Sequence, residues 1–293
     1  MSEDDIEFRR DLAAAYGAVE TLSPLIRRVI CNNPSPFTFK GTNSFIIGRG
    51  TVAVIDPGPD DPAHLHALGA ALAGEAVSHI LVTHSHLDHS PLAPALKALT
   101  GAPILGFGPQ ASHGSAGEAG GDARFDPDRR LADGEMVSGP GWTLEAIHTP
   151  GHASNHLCFA LAEEATILSG DHVMGWSTTV VSPPDGDMAH YMASLDKLRR
   201  RPERRYIPAH GPEIPDGPAF TRALLGHRRH REGAILRRVI ERPSDVAGLV
   251  AAIYKELDPR LVPAASRSVL AHLIKLVDDG KIRRDGEIYR SAE

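Results

Sequence analysis

The chain has 293 residues, of which 42% are hydrophobic and 23% charged, a composition typical of a globular protein with an interior core. The formal net charge is −6, and no segment approaches the roughly 18 consecutive apolar residues of a membrane-spanning helix. The acidic start, MSEDDIEFRRDL, lacks the apolar segment of a secretory signal, so we expect a soluble cytoplasmic protein. Cys31 and Cys158 are too few for a disulfide framework, and we expect Cys158 to be a reduced core thiol.

The first 210 residues contain short apolar runs that end in turn residues. SFIIG, TVAVIDPG, HILVTH, WTLEAIHTPG, HLCFAL and ATILSGD are rich in Ile, Val, Leu and Thr, which favours strands. Helical patterns lie between some of them, at 61–74, 90–101 and 188–201. Ser90 followed by Pro91 predicts the start of the second of these helices. Strands mixed with helices predict sheets covered by helices, in an α/β or α+β arrangement.

The C-terminal part of the chain follows a different pattern. A long helical pattern spans 217–241, and a second helix is predicted with Ser244 as its N-cap. A third helical pattern ends at Gly280, and KIRRDGEIYR predicts a β-hairpin that turns at Asp285-Gly286. Helices followed by a hairpin are the outline of a winged-helix module.

Charge is distributed unevenly between these two parts. Residues 219–293 hold 15 of the 31 basic residues and 10 of the 37 acidic ones, so this end is net positive and the remainder is strongly negative. Different surfaces and different patterns predict two domains, a larger one at 1–217 and a winged-helix-like one at 218–293. The charge difference alone does not identify a binding partner.

The stretch THSHLDH carries the clearest chemical signal. It places His84, His86, Asp88 and His89 within six positions, directly after an apolar run. A helix could not focus this set on one point, because residues two apart face different directions, whereas a loop at the end of a strand can. Neutral imidazoles beside a carboxylate present lone pairs to a divalent metal. Three further runs end in residues of the same kind: His152, Asp171 and His210. Seven such groups suit two metals that share a carboxylate and leave positions open for water.

These motifs resemble a known family. THSHLDH, TPGH, SGD and PAHG, in this order, are similar to the metal motifs of the metallo-β-lactamase superfamily, over about residues 30–212. The resemblance implies an αββα four-layer sandwich with the metals at one edge. By the family pattern, one ion is held by His84, His86 and His152, the other by Asp88, His89 and His210, and Asp171 bridges both. We expect two Zn²⁺ ions, which imidazole-rich sites favour, with manganese and iron as alternatives.

The expected chemistry is hydrolysis. Two ions about 3.5–4 Å apart share a water and lower its pKa from roughly 15.7 to near 7, so that hydroxide is the nucleophile. Asp88 is expected to bind one metal and to accept the hydrogen bond of the nucleophile as a catalytic base. Asn155 and His156, in TPGHASNH, are expected to reach the substrate. Asp56, in VIDPG, is expected to fix the turn under the ligand loop.

Two substrate classes remain open, because this fold hosts many hydrolases. With its C-terminal module, the chain resembles the β-lactamase-like protein 2 group, whose mitochondrial members are linked to cleavage of single-stranded RNA. The basic residues of the module would then contact phosphates; they are Arg231, Arg238, Arg242, Arg283, Arg284 and Arg290. The alternative is hydrolysis of a small ester, thioester or lactone, as in glyoxalase II, with the C-terminal unit walling the pocket. A homodimer is expected from the resemblance alone.

Two other functions fit the sequence less well. The zinc-dependent enzymes best known as β-lactamases carry Cys in the second metal site, where this chain has Asp171. A non-enzymatic winged-helix regulator with a degenerate core is disfavoured because all seven ligand-type residues are present.

Overall fold

The computed structural model describes residues 6–111, 120–255 and 257–292. The strands of the first sheet are β1 (Val19–Thr21), β2 (Ile26–Ile30), β3 (Asn43–Arg49), β4 (Thr51–Ile55), β5 (Ala76–Leu81), β6 (Ile104–Gly106) and β7 (Arg129–Arg130). The second sheet contains β8 (Met136–Gly139), β9 (Trp142–His148), β10 (Leu157–Leu161), β11 (Thr166–Gly170) and β12 (Arg205–Pro208). A C-terminal hairpin is formed by β13 (Ile282–Asp285) and β14 (Ile288–Ser291). The helices are α1 (Pro62–Ala71), α2 (Ala93–Thr100), α3 (Met188–Leu198), α4 (Gly217–Glu241), α5 (Val246–Ile253) and α6 (Val262–Asp278).

The two larger sheets meet at one edge. In the first sheet the strands lie in chain order, antiparallel from β1 to β4 and parallel from β4 to β7. The second sheet has the order β12-β11-β10-β9-β8 and is antiparallel except for the parallel pair β11–β12. Backbone hydrogen bonds from Asn43 N to Ala209 O (2.8 Å) and from Leu157 N to Thr83 O (2.7 Å) join the sheets. The loops after β5 and β12 are therefore brought to the same edge.

Apolar side chains form a layer between the two sheets and a layer on each outer face. The inner layer includes Phe45, Ile55, Leu144, Phe159 and Ile207, all at most 2% exposed. Helices α1 and α2 cover the outer face of the first sheet, and α3 with the start of α4 covers that of the second. Since burying one large apolar side chain contributes about 1.5–3 kcal/mol, these layers dominate the stability. The predicted αββα sandwich is confirmed.

The helix predicted at 90–101 begins later than expected. Helix α2 starts at Ala93, and its N-cap position, Leu92, makes no side-chain capping bond. Ser90 instead closes the ligand loop, because its backbone N–H donates to His86 O at 3.2 Å. The prediction of Ser90 as a cap was wrong since the same residue is needed to shape the loop before it.

The C-terminal helices and hairpin form a winged-helix domain, as predicted. The hairpin turns at Asp285-Gly286, where Gly286 adopts a φ of +62°. Helix α5 is capped by Asp245, whose side chain accepts from Gly248 N at 2.7 Å, rather than by Ser244. The Ser244 backbone is instead paired with Tyr289 of the hairpin.

Helix α4 belongs to two cores at once. Near its start, Leu224 and Leu225 pack into the outer layer on the second sheet. Further along, Ile235 and Val239 pack with α5, α6 and the hairpin. The domain boundary between 217 and 218 stays a prediction. Helix α4, which begins at this boundary, packs into the cores of both domains.

The other composition-based expectations concern the membrane and the cysteines. Within the described ranges, no helix is both long and apolar enough to cross a membrane. Cys31 and Cys158 are free and buried, and Cys158 lies in the outer core of the second sheet. The prediction of a reduced core thiol at Cys158 is confirmed.

Candidate metal centre

The seven predicted ligands lie at the edge where the sheets meet. The loop after β5 carries His84, His86, Asp88 and His89, Asp171 follows β11, and His210 and His152 follow β12 and β9. Asp56, directly after β4, anchors this loop as predicted. Its carboxylate accepts hydrogen bonds from Thr83 N (2.8 Å), Thr83 Oγ1 (2.8 Å) and His89 Nδ1 (2.9 Å). A buried carboxylate with three donors fixes both the turn and the orientation of one imidazole.

Three imidazoles form the first cluster. His84 Nε2 lies 2.9 Å from His86 Nδ1, and His152 Nε2 lies 3.1 Å from the same His86 nitrogen. The outer nitrogens of two rings are held, with Thr83 Oγ1 at 3.0 Å from His84 Nδ1 and Val180 O at 2.7 Å from His152 Nδ1. A backbone carbonyl can only accept, so His152 Nδ1 carries a proton and its Nε2 is the nitrogen that faces the cluster.

Two carboxylates and two imidazoles form the second cluster. His210 Nε2 lies 3.1 Å from Asp88 Oδ2 and 3.3 Å from Asp171 Oδ1, while His89 Nε2 lies 3.4 Å from Asp88 Oδ2. His210 Nδ1 donates to Gly41 O at 3.2 Å, which directs its Nε2 inward. The Asp88 side chain is 28% exposed, against 10% or less for the other three, so Asp88 faces the opening of the site.

Asp171 lies between the two clusters. Its Oδ2 is 3.6 Å from His152 Nε2 of the first cluster and 3.6 Å from His89 Nε2 of the second. Within each cluster, the ligand atoms all lie within 4.8 Å of one another. One carboxylate is thus within reach of both positions at which a metal could bind.

The donor sets fit divalent metals. Ligands bound tetrahedrally at 2.0–2.1 Å are about 3.3 Å apart, close to the nitrogen separations of the first cluster. In the second cluster, His89 Nε2, His210 Nε2 and Asp171 Oδ1 are buried, and among the described residues they face only one another, Asp88 and His152. Such inward-facing polar atoms are costly unless a cation or protons join them.

The two clusters differ in protonation. Burial, followed by repulsion from neighbouring imidazoles, lowers the pKa of His86 to about 3 and that of His84 well below its usual value. Burial would also lower the pKa of His210, but the carboxylates of Asp171 and Asp88 outweigh it and raise this pKa to about 10. His84 and His86 are therefore neutral nitrogen donors, whereas the two carboxylates of the second cluster favour bound protons or a metal.

Asn155 and His156 lie behind the ligands rather than in front of them. Asn155 is 1% exposed, and its Nδ2 donates to Ser85 Oγ (3.0 Å) and Gly108 O (2.8 Å). His156 is fully buried, and its Nε2 accepts from Asp171 N at 3.1 Å. The geometry favours a positioning role over the substrate contact expected from the sequence.

Two supporting features were missed in the sequence. Gly170 adopts a φ of +51°, and a Cβ there would lie 2.5 Å from His156 Nε2, so the glycine lets that imidazole reach Asp171. Arg228 of α4 is 3% exposed and donates to Thr179 O, and Thr179 Oγ1 donates to Asp171 O at 2.7 Å. Gly170 in the SGD motif could have indicated the first feature, because a glycine before a ligand often marks a close approach of two groups. The contact between Arg228 and Thr179 joins residues 49 apart, and no short sequence pattern indicates it.

Family models match two parts of the chain. The model described as "Metallo-beta-lactamase superfamily" matches residues 37–210, and "Beta-lactamase associated winged helix domain" matches residues 246–290. The first range contains the candidate metal ligands, and the second contains α5, α6 and all but the last residue of the hairpin.

Individual proteins are similar over most of the chain. "Beta-lactamase-like protein 2 homolog" of Drosophila melanogaster is 32% identical, covering 94% of this chain and 97% of its own. "Atrochrysone carboxyl ACP thioesterase" of Claviceps purpurea is 30% identical, covering 87% of this chain and 80% of its own. A beta-lactamase domain protein from Burkholderia ambifaria has the same fold, with a TM-score of 0.80 at 23% identity over 99% of this chain and 98% of its own. The chain therefore belongs to the metallo-beta-lactamase superfamily of hydrolases and carries the winged-helix domain associated with it.

Proposed function

We propose that this protein is a dinuclear zinc hydrolase that cleaves thioesters. The observation that carries the proposal is the convergence of seven donor side chains into two adjacent clusters that share Asp171. Two zinc ions would be held by His84, His86 and His152 and by Asp88, His89 and His210, with Asp171 contacting both. When bound, such ions activate water and polarise the acyl oxygen of the substrate.

The side chains around the clusters have distinct tasks. Asp88, the most exposed of the second cluster, is placed to accept a proton from the attacking water at its carboxylate. Asp56 and His156 hold His89 and the Asp171 backbone in place. Water adds to the thioester carbonyl carbon and the carbon–sulfur bond breaks. The products are a carboxylic acid, which keeps one hydrogen of the water, and a thiol, whose sulfur takes up the proton that Asp88 accepted.

The choice of a thioester is supported by the relatives. A protein named "Atrochrysone carboxyl ACP thioesterase" is 30% identical and covers 87% of this chain. Cleavage of single-stranded RNA, the other class considered from the sequence, is supported by the basic C-terminal residues. On the hairpin, however, Arg290 is paired with Asp285 at 2.7 Å and Arg284 donates to Gly286 O at 2.7 Å. These arginines are engaged locally.

A direct comparison tests the proposal. The zinc-loaded protein is assayed on a panel of thioesters and on a labelled single-stranded RNA, beside Asp88→Ala and His86→Ala. Both variants should lose hydrolysis while their circular dichroism stays close to that of the wild type. Asp60→Ala and His66→Ala, at exposed positions outside the clusters, are matched controls that should keep full activity. Full thioester hydrolysis by metal-replete Asp88→Ala would contradict the mechanism, and RNA cleavage without thioester hydrolysis would contradict the substrate.

A further inference from the structure

A basic groove lies between α4 and the end of α5. It has a volume of about 460 Å³, within the range typical of small-ligand sites. Its α4 residues recur every three or four positions, so they share one face of the helix. The lining residues are His227, His230, Arg231, Ala234, Arg237, Arg238, Glu241, Ala252 and Ile253. Among the described residues, three arginines and two histidines thus line the groove beside one carboxylate, in a chain whose net charge is −6.

The arginines of the groove are available for a ligand. Within the described ranges, neither Arg231 nor Arg237 forms an ion pair, and Arg238 approaches only Glu241, at 3.9 Å. The Arg231 guanidinium lies 4.2 Å from the centre of the Tyr254 ring, which orients it, and its Nε is buried without a hydrogen bond. Guanidinium groups match phosphate through paired hydrogen bonds, so the groove suits a phosphate-bearing ligand.

The groove is connected to the candidate metal centre through α4. Its first lining residue, His227, is adjacent to Arg228, which donates to Thr179 O. Thr179 in turn donates to the backbone of Asp171. Along the helix axis, Arg231 and Arg238 lie about 5 and 15 Å beyond Arg228. A ligand with its phosphate in the groove and its reacting group at the clusters must therefore carry a long arm between them.

The observations favour a small phosphate ligand over a polymer. A single strand needs a charged track that follows its backbone. Here Arg231, Arg237 and Arg238 gather at one groove, while the hairpin arginines Arg284 and Arg290 make local contacts. Arg242, beside the groove, lines a neighbouring cavity together with two carboxylates, those of Glu241 and Asp245, so the positive charge does not continue there as a track.

We propose that this groove binds the phosphate of a phosphopantetheine-type thioester whose acyl group reaches the metal centre. The inference rests on the proposed thioester hydrolysis and adds the part of the substrate that is recognised. Phosphopantetheine on a carrier protein and coenzyme A share this chemistry.

Three thioesters of one acyl group test the proposal. The acyl group is attached to N-acetylcysteamine, which has no phosphate, to phosphopantetheine and to coenzyme A. In Arg237→Gln/Arg238→Gln, kcat/KM should fall about tenfold or more for the two phosphate-bearing substrates and stay within about twofold for the first. A further loss with coenzyme A alone would assign the contact to its nucleotide. Arg222→Gln/Arg229→Gln removes the same charge from exposed positions of α4 outside the groove and should change nothing.

Other outcomes would overturn the proposal. Equal losses on all three substrates would mean that the arginines act through the fold or the metal centre, and unchanged kinetics would mean that the groove is not used. If the variant loses RNA binding but keeps its thioester kinetics, the groove serves a polymer. If the wild type cleaves no thioester, the proposed function fails, and calorimetry with coenzyme A then decides the groove separately. Binding that the double variant weakens at least tenfold supports the phosphate site, and absence of binding refutes it.

Discussion

Replacing Asp56 by Asn should damage metal binding more than folding. The Asp56 carboxylate is 1% exposed and accepts from Thr83 N, Thr83 Oγ1 and His89 Nδ1. An amide of the same shape has one oxygen left to accept and an NH₂ group that must donate. If that NH₂ group faces His89, Nδ1 becomes the acceptor and the proton moves to Nε2. That is the nitrogen aimed at the second cluster, so its lone pair is no longer available to a metal.

The size of the effect follows from these contacts. Changes to residues that orient a metal-bound histidine reduce metal affinity about 10–100-fold. Asp56→Asn should therefore bind its second metal equivalent about 10–100-fold more weakly and remain folded. Asp56→Ala leaves three buried donors without an acceptor, at about 1–3 kcal/mol each, and should lower the free energy of unfolding by roughly 3–9 kcal/mol.

Two measurements separate the variants. Chelator competition or calorimetry with zinc gives the affinity of each metal equivalent, and denaturant unfolding of the metal-free proteins gives their stability. If Asp56→Asn binds two zinc ions with wild-type affinity, the bond to Asp56 does not set the His89 tautomer and the reasoning is refuted.

Two further predictions concern Gly170, the residue before Asp171, and the removal of bound metal. Gly170→Ala should lower the free energy of unfolding by about 2–4 kcal/mol, because it combines a φ of +51° with a 2.5 Å approach to His156. Gly226→Ala in α4 is the control, because a Cβ there meets nothing within 4 Å. It should raise the free energy of unfolding by about 0.5–1 kcal/mol in the same denaturant titration. A Gly170→Ala protein as stable as the wild type would refute the argument. Metal removal by chelator should abolish hydrolysis and lower Tm by roughly 5–10 °C, since ligand at 100 times its Kd stabilises by about 2.7 kcal/mol. An unchanged Tm would mean that the clusters bind no metal.

The fold and the gathering of the seven donors could be predicted because their signals are local. Apolar runs marked the strands, and each donor follows such a run, so the ends of neighbouring strands bring the donors to one edge. Asp56 was also readable, since VIDPG places a carboxylate directly after a strand beside the ligand loop.

Contacts between distant segments could not be predicted. Asn155 and His156 were expected at the substrate because they follow His152 in sequence, but the turn places them behind Asp171 and Ser85. Ser90 matched a helix cap and is used in the loop instead. The pairing of Arg228 with Thr179 depends on how α4 packs against the loop after β11, which one sequence does not encode locally.

The sharing of α4 between two cores limits how this protein can be divided or moved. A shortened protein that stops at residue 217 would leave the outer face of the second sheet without Leu224 and Leu225, and Thr179 without its arginine. Exchanging the C-terminal domain, α4 included, for another would also remove Arg228, which supports the loop of Asp171 through Thr179. Arg228 of this helix is hydrogen-bonded to Thr179, which is hydrogen-bonded to the backbone of Asp171, so a tilt of the helix would be felt first at these two bonds.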